Sequence, residues 1–203
     1  WLVSARRGYL DFILQAAGDD DDDPPDPRYW DAFFKLAWAP SPSHSLSLAY
    51  LAADDTISWE DEDDDEIADI DSGYGSSNMW FGHQGVVGDN SFVNTAIYLG
   101  EITVRRDFFV FDEYDENFNL DDVRDHQFYG VRQEWHQDLG TSNYLRWGFD
   151  LRSYEASYEY ELDAVIEDPI YDPRFYPAIR VDSFHDTYEG SQYGLFVTDR
   201  IRV

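Results

Sequence analysis

The side chains best suited to acid, base or metal chemistry in this 203-residue chain are five histidines and 43 carboxylates, because it has no cysteine. The histidines stand at 44, 83, 126, 136 and 185 with no HxH or HExxH spacing, so no zinc site is expected from the order of residues. Carboxylates are plentiful, but none has flanking residues that would raise one pKa selectively, as a general acid requires; no enzymatic activity is expected. The segment GYGSS, Gly73 to Ser77, lacks the lysine of a phosphate loop and reads as a flexible re-entry into a sheet. Two acidic runs remain: DDDDDPPDP from Asp19 and WEDEDDDE from Trp59. The second lacks the central glycine and closing glutamate spacing of an EF-hand. Asp61, Asp63, Asp64, Asp65 and Glu66 are therefore at most a weak divalent site, and loosely bound Ca2+ is the only cofactor to expect. Like charges in a row repel and cannot form a core, so Asp19–Asp23 and Asp61–Glu66 are expected to be solvated, mobile loops with an electrostatic role.

The elements between these runs follow a period of two. YWDAFFKLAW places Trp30, Ala32, Phe34, Leu36 and Trp38 on one face, with the two tryptophans about 26 Å apart at strand rise. SLSLAYLA sets Leu46, Leu48, Tyr50 and Ala52 against Ser45, Ser47, Ala49 and Leu51. SSNMWFGHQGVV and FVNTAIYLGEITV pair around the turn GDN, but both of their faces carry apolar residues. FYGVRQEWHQDL alternates Tyr129, Val131, Gln133, Trp135 and Leu139 with Phe128, Arg132, Glu134, His136 and Asp138. YLRWGFDLR sets Leu145, Trp147, Phe149 and Leu151 against Arg146, Asp150 and Arg152, and YGLFVTDRIRV sets Tyr193, Leu195, Val197 and Ile201 against Phe196, Thr198, Arg200 and Arg202. Arg132, Glu134, Arg146, Asp150, Arg152, Arg200 and Arg202 thus share the face opposite an apolar stripe. They would be costly against lipid and ordinary in a wet lumen, where they would form an ion-pair ladder or line a solute path. Trp30, Trp38, Trp135 and Trp147 are the candidate membrane-interface aromatics. One segment departs from the pattern: GYLDFILQAAG has helical spacing at Leu10, Ile13, Leu14 and Ala17, predicting a short loop helix near 9–17.

Composition narrows the classes. A formal net charge of -29 argues against nucleic acid, and an 18% aromatic content argues against disorder. No apolar run is long enough for a membrane helix, but a membrane β-barrel needs only about ten alternating residues per strand. Short turns at 40–44, 88–91 and 140–143 alternate with long segments at 19–28, 54–73, 107–125 and 155–189, and the long segments hold 35 of the 43 acidic residues. A sandwich has no reason to place its carboxylates on alternate connections. Short turns at one end, long ones at the other and aromatic-flanked strands predict an all-β, antiparallel up-and-down meander of about eight strands, a partial transmembrane β-barrel over 1–203.

WLVSARRGYLDFIL, KLAWAPSPSHSLSLAYLAADD and YLRWGFDLRSYEASYEY resemble the barrel portion of TonB-dependent receptors, with SARRGYLD the most characteristic stretch. The resemblance implies a barrel of about 22 strands with an N-terminal plug, of which eight strands make about a third of the wall. No plug segment, TonB-contacting box or terminal aromatic is found here, so an internal piece of the barrel is expected. The implied function is import of a scarce solute, such as a siderophore-iron complex, a vitamin or an oligosaccharide. The implied partners are outer-membrane lipid, the solute, and the plug and TonB system through the rest of the chain. The implied location is the Gram-negative outer membrane, long loops outside and short turns in the periplasm. A complete eight-stranded outer-membrane barrel and a secreted calcium-binding β-domain are the alternatives; the apolar stripe of Trp147, Phe149 and Leu151 speaks against the second.

Overall fold

The computed structural model describes residues 1–17, 25–62, 66–112, 116–140, 142–166 and 179–201. Its strands are β1 (Leu2–Arg7), β2 (Asp26–Ser41), β3 (His44–Glu62), β4 (Glu66–Val87), β5 (Ser91–Asp112), β6 (Glu116–Leu139), β7 (Asn143–Ile166) and β8 (Ile179–Ile201), with one helix, α1 (Leu10–Ala17), between β1 and β2. Every strand pairs antiparallel with its neighbours in sequence, giving one eight-stranded up-and-down sheet in the order β1 to β8. Among the described residues β1 and β8 do not pair, so the sheet is open and these two are its edges. The meander and the short helix are as the periodicity predicts.

The tight turns fall where expected. Gly88 and Gly140 open two of them with φ of 68° and 73°, a left-handed conformation that only glycine adopts without strain. The long segments differ from expectation. Pairing of β3 with β4 continues to Glu62↔Ile67, that of β4 with β5 to Glu66↔Asp112, and that of β6 with β7 to Glu116↔Ile166. Asp61 and Glu66 are therefore strand residues rather than loop residues, while Asp63, Asp64 and Asp65 lie outside the described residues, as do 18–24 and 167–178. The physical reason is visible in what interleaves the acids. Ile57, Trp59, Ile67, Ile70 and the run Phe108–Phe111 are strong strand formers. Facing carboxylates are destabilising, but in the strands described the continuing ladder and these strand formers outweigh them.

Register assigns the two faces. Trp30, Ala32, Phe34, Leu36 and Trp38 lie with Leu46–Ala52 (even positions), Met79 and Phe81, Val93, Ile97 and Leu99, Tyr129–Trp135 (odd), Leu145–Leu151 (odd), and Tyr193, Leu195 and Val197. This belt is uncovered: Trp38 is 62% exposed, Tyr129 66% and Leu195 86%. Only Ala68, Val93 and Ala164 are buried apolar residues among those described. The exposed surface of 14757 Å² compares with about 9,800 Å² for a soluble monomer of this mass. Among the described residues the sheet has almost no apolar core of its own, so burial of the belt has to be supplied by what covers it.

The belt does not run straight across the strands. Toward the acidic end its continuous apolar run stops at Trp30, Ala52, Met79, Leu99, Tyr129, Leu151 and Tyr193 on β2 to β8, with Ile67, Phe109, Phe111, Val123 and Val181 standing singly or paired among polar residues beyond it on the same face. Trp30 is level with Asp54, Ala52 with Ser77 and Tyr129 with Ser153, so the boundary slips by two residues at each of these steps. Met79–Leu99, Leu99–Tyr129 and Leu151–Tyr193 are level. The mean slip is about one residue per strand. With a rise of about 3.3 Å and strand spacing of about 4.8 Å, a level boundary requires strands tilted by ~35°. The span from Trp30 to Trp38 then has a height of about 22 Å.

Candidate functional site

The face opposite the belt is held by polar networks. Glu134 of β6, whose side chain is only 10% exposed, is their hub. Arg146 of β7 grips it with Nε at 2.6 Å and Nη2 at 3.0 Å, Arg132 donates from Nη2 at 3.3 Å, and His136 Nε2 lies 2.7 Å away. Strand parity puts these residues on one face. The register sets His136 opposite Arg146 and Glu134 opposite Gly148, so Arg146 reaches Glu134 along the diagonal. The guanidiniums of Arg132 and Arg146 lie 5.8 and 5.7 Å from the ring centre of Phe196 on β8, which adds a cation–π contact. His136 Nδ1 hydrogen-bonds the Tyr144 hydroxyl.

Asp150 and Arg152 meet through a third strand. The Tyr98 hydroxyl of β5 donates to Asp150 Oδ1 at 2.9 Å and accepts from Arg152 Nε at 3.1 Å, and the Arg152 guanidinium lies 5.5 Å from the Tyr98 ring centre. Four rings lie flat on glycines directly across the ladder: Tyr98 on Gly130, Phe128 on Gly100, Phe196 on Gly148 and Tyr154 on Gly190. A Cβ at any of these glycines would strike the ring, so each glycine is the seat that fixes an aromatic in this network.

Further along the same face, Asp31, 4% exposed, takes Arg6 of β1 at 2.9 Å and the Tyr29 hydroxyl. Beyond the acidic edge of the belt, Asp122 takes Arg124 at 2.6 Å and Arg106 at 3.9 Å. The Asp122 hydrogen bond holds the Arg124 guanidinium above its usual pKa. These clusters join β1 to β2 and β5 to β6.

The structure therefore brings Arg132, Glu134 and Arg146 into one cluster and Asp150 with Arg152 into another. Arg200 lines, with His136, Tyr144, Arg146 and Thr198, a concavity of about 450 Å³ near the short-turn end, and no carboxylate partners it among the described residues. Arg202 lies outside the described residues. Trp135 and Trp147 face each other across β6 and β7 and stack at 5.7 Å within the belt, while Trp30 and Trp38 stand at its two limits on β2. The candidate set omits His136, Tyr144, Tyr98, Phe196 and the Asp31 and Asp122 clusters. The signal for the first four was present, since all occupy the same parity as the arginines.

Among the described residues no group of three or more His, Asp or Glu could hold a metal ion. What the face offers is fixed, paired charge in a half-wet setting. Arg132 and Arg146 keep nearly half their side-chain surface in solvent while their shared carboxylate is covered. Such a surface suits hydrogen bonding to a polar solute or polar protein surface. Compared with known proteins, the chain matches no family model and no curated protein.

Proposed function

We propose that the chain is part of the wall of a larger outer-membrane β-barrel of the TonB-dependent receptor kind, lining the route by which a scarce solute is imported. The belt carries this reading. An apolar band of about 22 Å that requires strands tilted ~35° matches the ~25 Å band and 35–45° tilt of membrane barrels. A soluble domain would have to cover it. The networked face then lines water, where Glu134 and its cations are ordinary. The carboxylates beyond Asp54, Asp71, Glu101 and Glu155 stand outside the bilayer on the belt's own face. The unpaired edges at β1 and β8 favour a piece of a larger wall. The strand count of eight favours the second reading, a complete small barrel.

The absence of native cysteine makes the test direct. Single substitutions Ile97→Cys, Val131→Cys and Leu195→Cys should be shielded from a water-soluble maleimide in outer membranes and labelled by a lipophilic one. Gln127→Cys and Glu155→Cys, a few residues along the same face, should react with the water-soluble reagent. Equal reaction at all five would remove the membrane reading. A heat-modifiable, SDS-resistant monomer formed by these residues alone would favour the small closed barrel over the wall fragment.

A further inference from the structure

The sheet assembles a pair of histidines that lie 39 residues apart in sequence. His44 at the start of β3 and His83 of β4 sit diagonally on the belt face, at the short-turn end. Nδ1 of His44 lies 3.2 Å from Nε2 of His83, with the rings within 10° of parallel and their centres 5.4 Å apart. Gly85 makes this possible. It is the register partner of His44, and a Cβ there would stand 2.5 Å from His44 Nδ1 and 3.1 Å from His83 Cε1. Only glycine lets the His44 ring lie down on the neighbouring strand and bring its nitrogen to that of His83.

We propose that His44 and His83 form a bidentate binding site for a late first-row divalent transition ion, with Cu2+ held most tightly. Two metal–imidazole bonds of about 2.05 Å at an angle of about 100° span ~3.2 Å, the separation already present. Turning each ring by about 40° within its plane takes the two nitrogens from a shared hydrogen to a shared ion. The β3–β4 ladder continues through 19 paired positions, so the two ligands are held at fixed spacing without the metal. Their register neighbours on the same face include Leu46, Phe81, Val87 and Thr95, none of them charged. Imidazole donors select copper, nickel and zinc over calcium and magnesium, and among these the usual order of affinity puts Cu2+ first. Water or exogenous ligands complete the coordination, since no third protein ligand is supplied by the described residues. The pair lies on the face opposite Glu134, so it is a site separate from the networks.

The test is Cu2+ titration of the full chain folded in detergent, with excess Mg2+ and Ca2+ to occupy carboxylates, read by electron paramagnetic resonance. One tight equivalent with two-nitrogen coupling is expected. His44→Ala and His83→Ala should each weaken it about 100-fold, as a chelate becomes a single ligand. Gly85→Ala, which keeps both histidines but displaces one ring, should do the same. His126→Ala, His136→Ala and His185→Ala should leave the equivalent intact. The far-UV β signal of each variant reports folding; if Gly85→Ala misfolds, the two histidine variants decide. A spectrum with one or no coupled nitrogen, or unchanged affinity in His44→Ala and His83→Ala, overturns the proposal.

Discussion

Glu134 concentrates more of the networked face than any other residue described, since two guanidiniums and an imidazole converge on it while its own side chain is 10% exposed. Removing its charge leaves Arg132 and Arg146 side by side with no shared counter-ion. Glu134→Gln is expected to lower stability by about 1–2 kcal/mol, a modest figure because the guanidiniums are half in solvent. Urea unfolding in vesicles measures it. Arg132→Gln, which leaves the two-pronged Arg146 contact in place, should cost less. If the two variants are equal, Glu134 is not the hub.

At the scale of strands, the acidic ends form ladders rather than loops. Asp71 of β4, Asp107 of β5, Asp121 of β6 and Glu161 of β7 are successive register partners, four carboxylates in one row beyond the belt. Burial first, and then the neighbouring Asp121, push the Asp107 carboxyl above the usual aspartate range. The folded ladder therefore holds a proton that the unfolded chain releases. Its contribution to stability is present in full below the ordinary aspartate pKa and is lost as pH rises through the raised value. Amide exchange along 67–73 and 105–111, corrected for intrinsic rates, should slow as pH falls through the raised value toward the ordinary aspartate range, and Asp107→Asn should give the slow rates already at neutral pH. Exchange indifferent to pH in both proteins would refute the ladder. The same strands show how much was legible in advance. Period two alone identified the faces of β2, β3, β6, β7 and β8. It left β4 and β5 undecided because Trp80, Phe92 and Tyr98 give their second face apolar character too, and only pairing with β3 and β6 assigns them. The Glu134 candidates were legible by parity, but their meeting depends on a diagonal between strands that no single strand's pattern contains. The run at 61–66 reads as a loop because repulsion between carboxylates is evident in a sequence, whereas the ladder that takes in Asp61, Glu62 and Glu66 is a property of two segments at once.

For the molecule as a whole, the slip of the belt predicts a measurable orientation. Polarised infrared spectra of the protein in aligned bilayers should place the strands about 35° from the membrane normal; strands lying flat or upright would break the link between register and tilt. The strands also outrun the belt. β7 continues some 15 residues past Leu151, about 50 Å of strand and ~40 Å of height at that tilt. This asymmetry has a consequence for how the chain enters a membrane. The end with the tight turns at Pro42, Gly88 and Gly140 exposes little charge, whereas the other end carries most of the 43 acids, each costly to draw through hydrocarbon. For a sheet that enters a bilayer as proposed, insertion can therefore proceed unaided in only one direction, with the turns leading and the acidic ends left on the side from which the chain arrived. If the sheet spans a membrane as proposed, a chain delivered from the opposite side must have its acidic ends carried across by something that shields them, and the charge distribution then makes assembly from that side an assisted process.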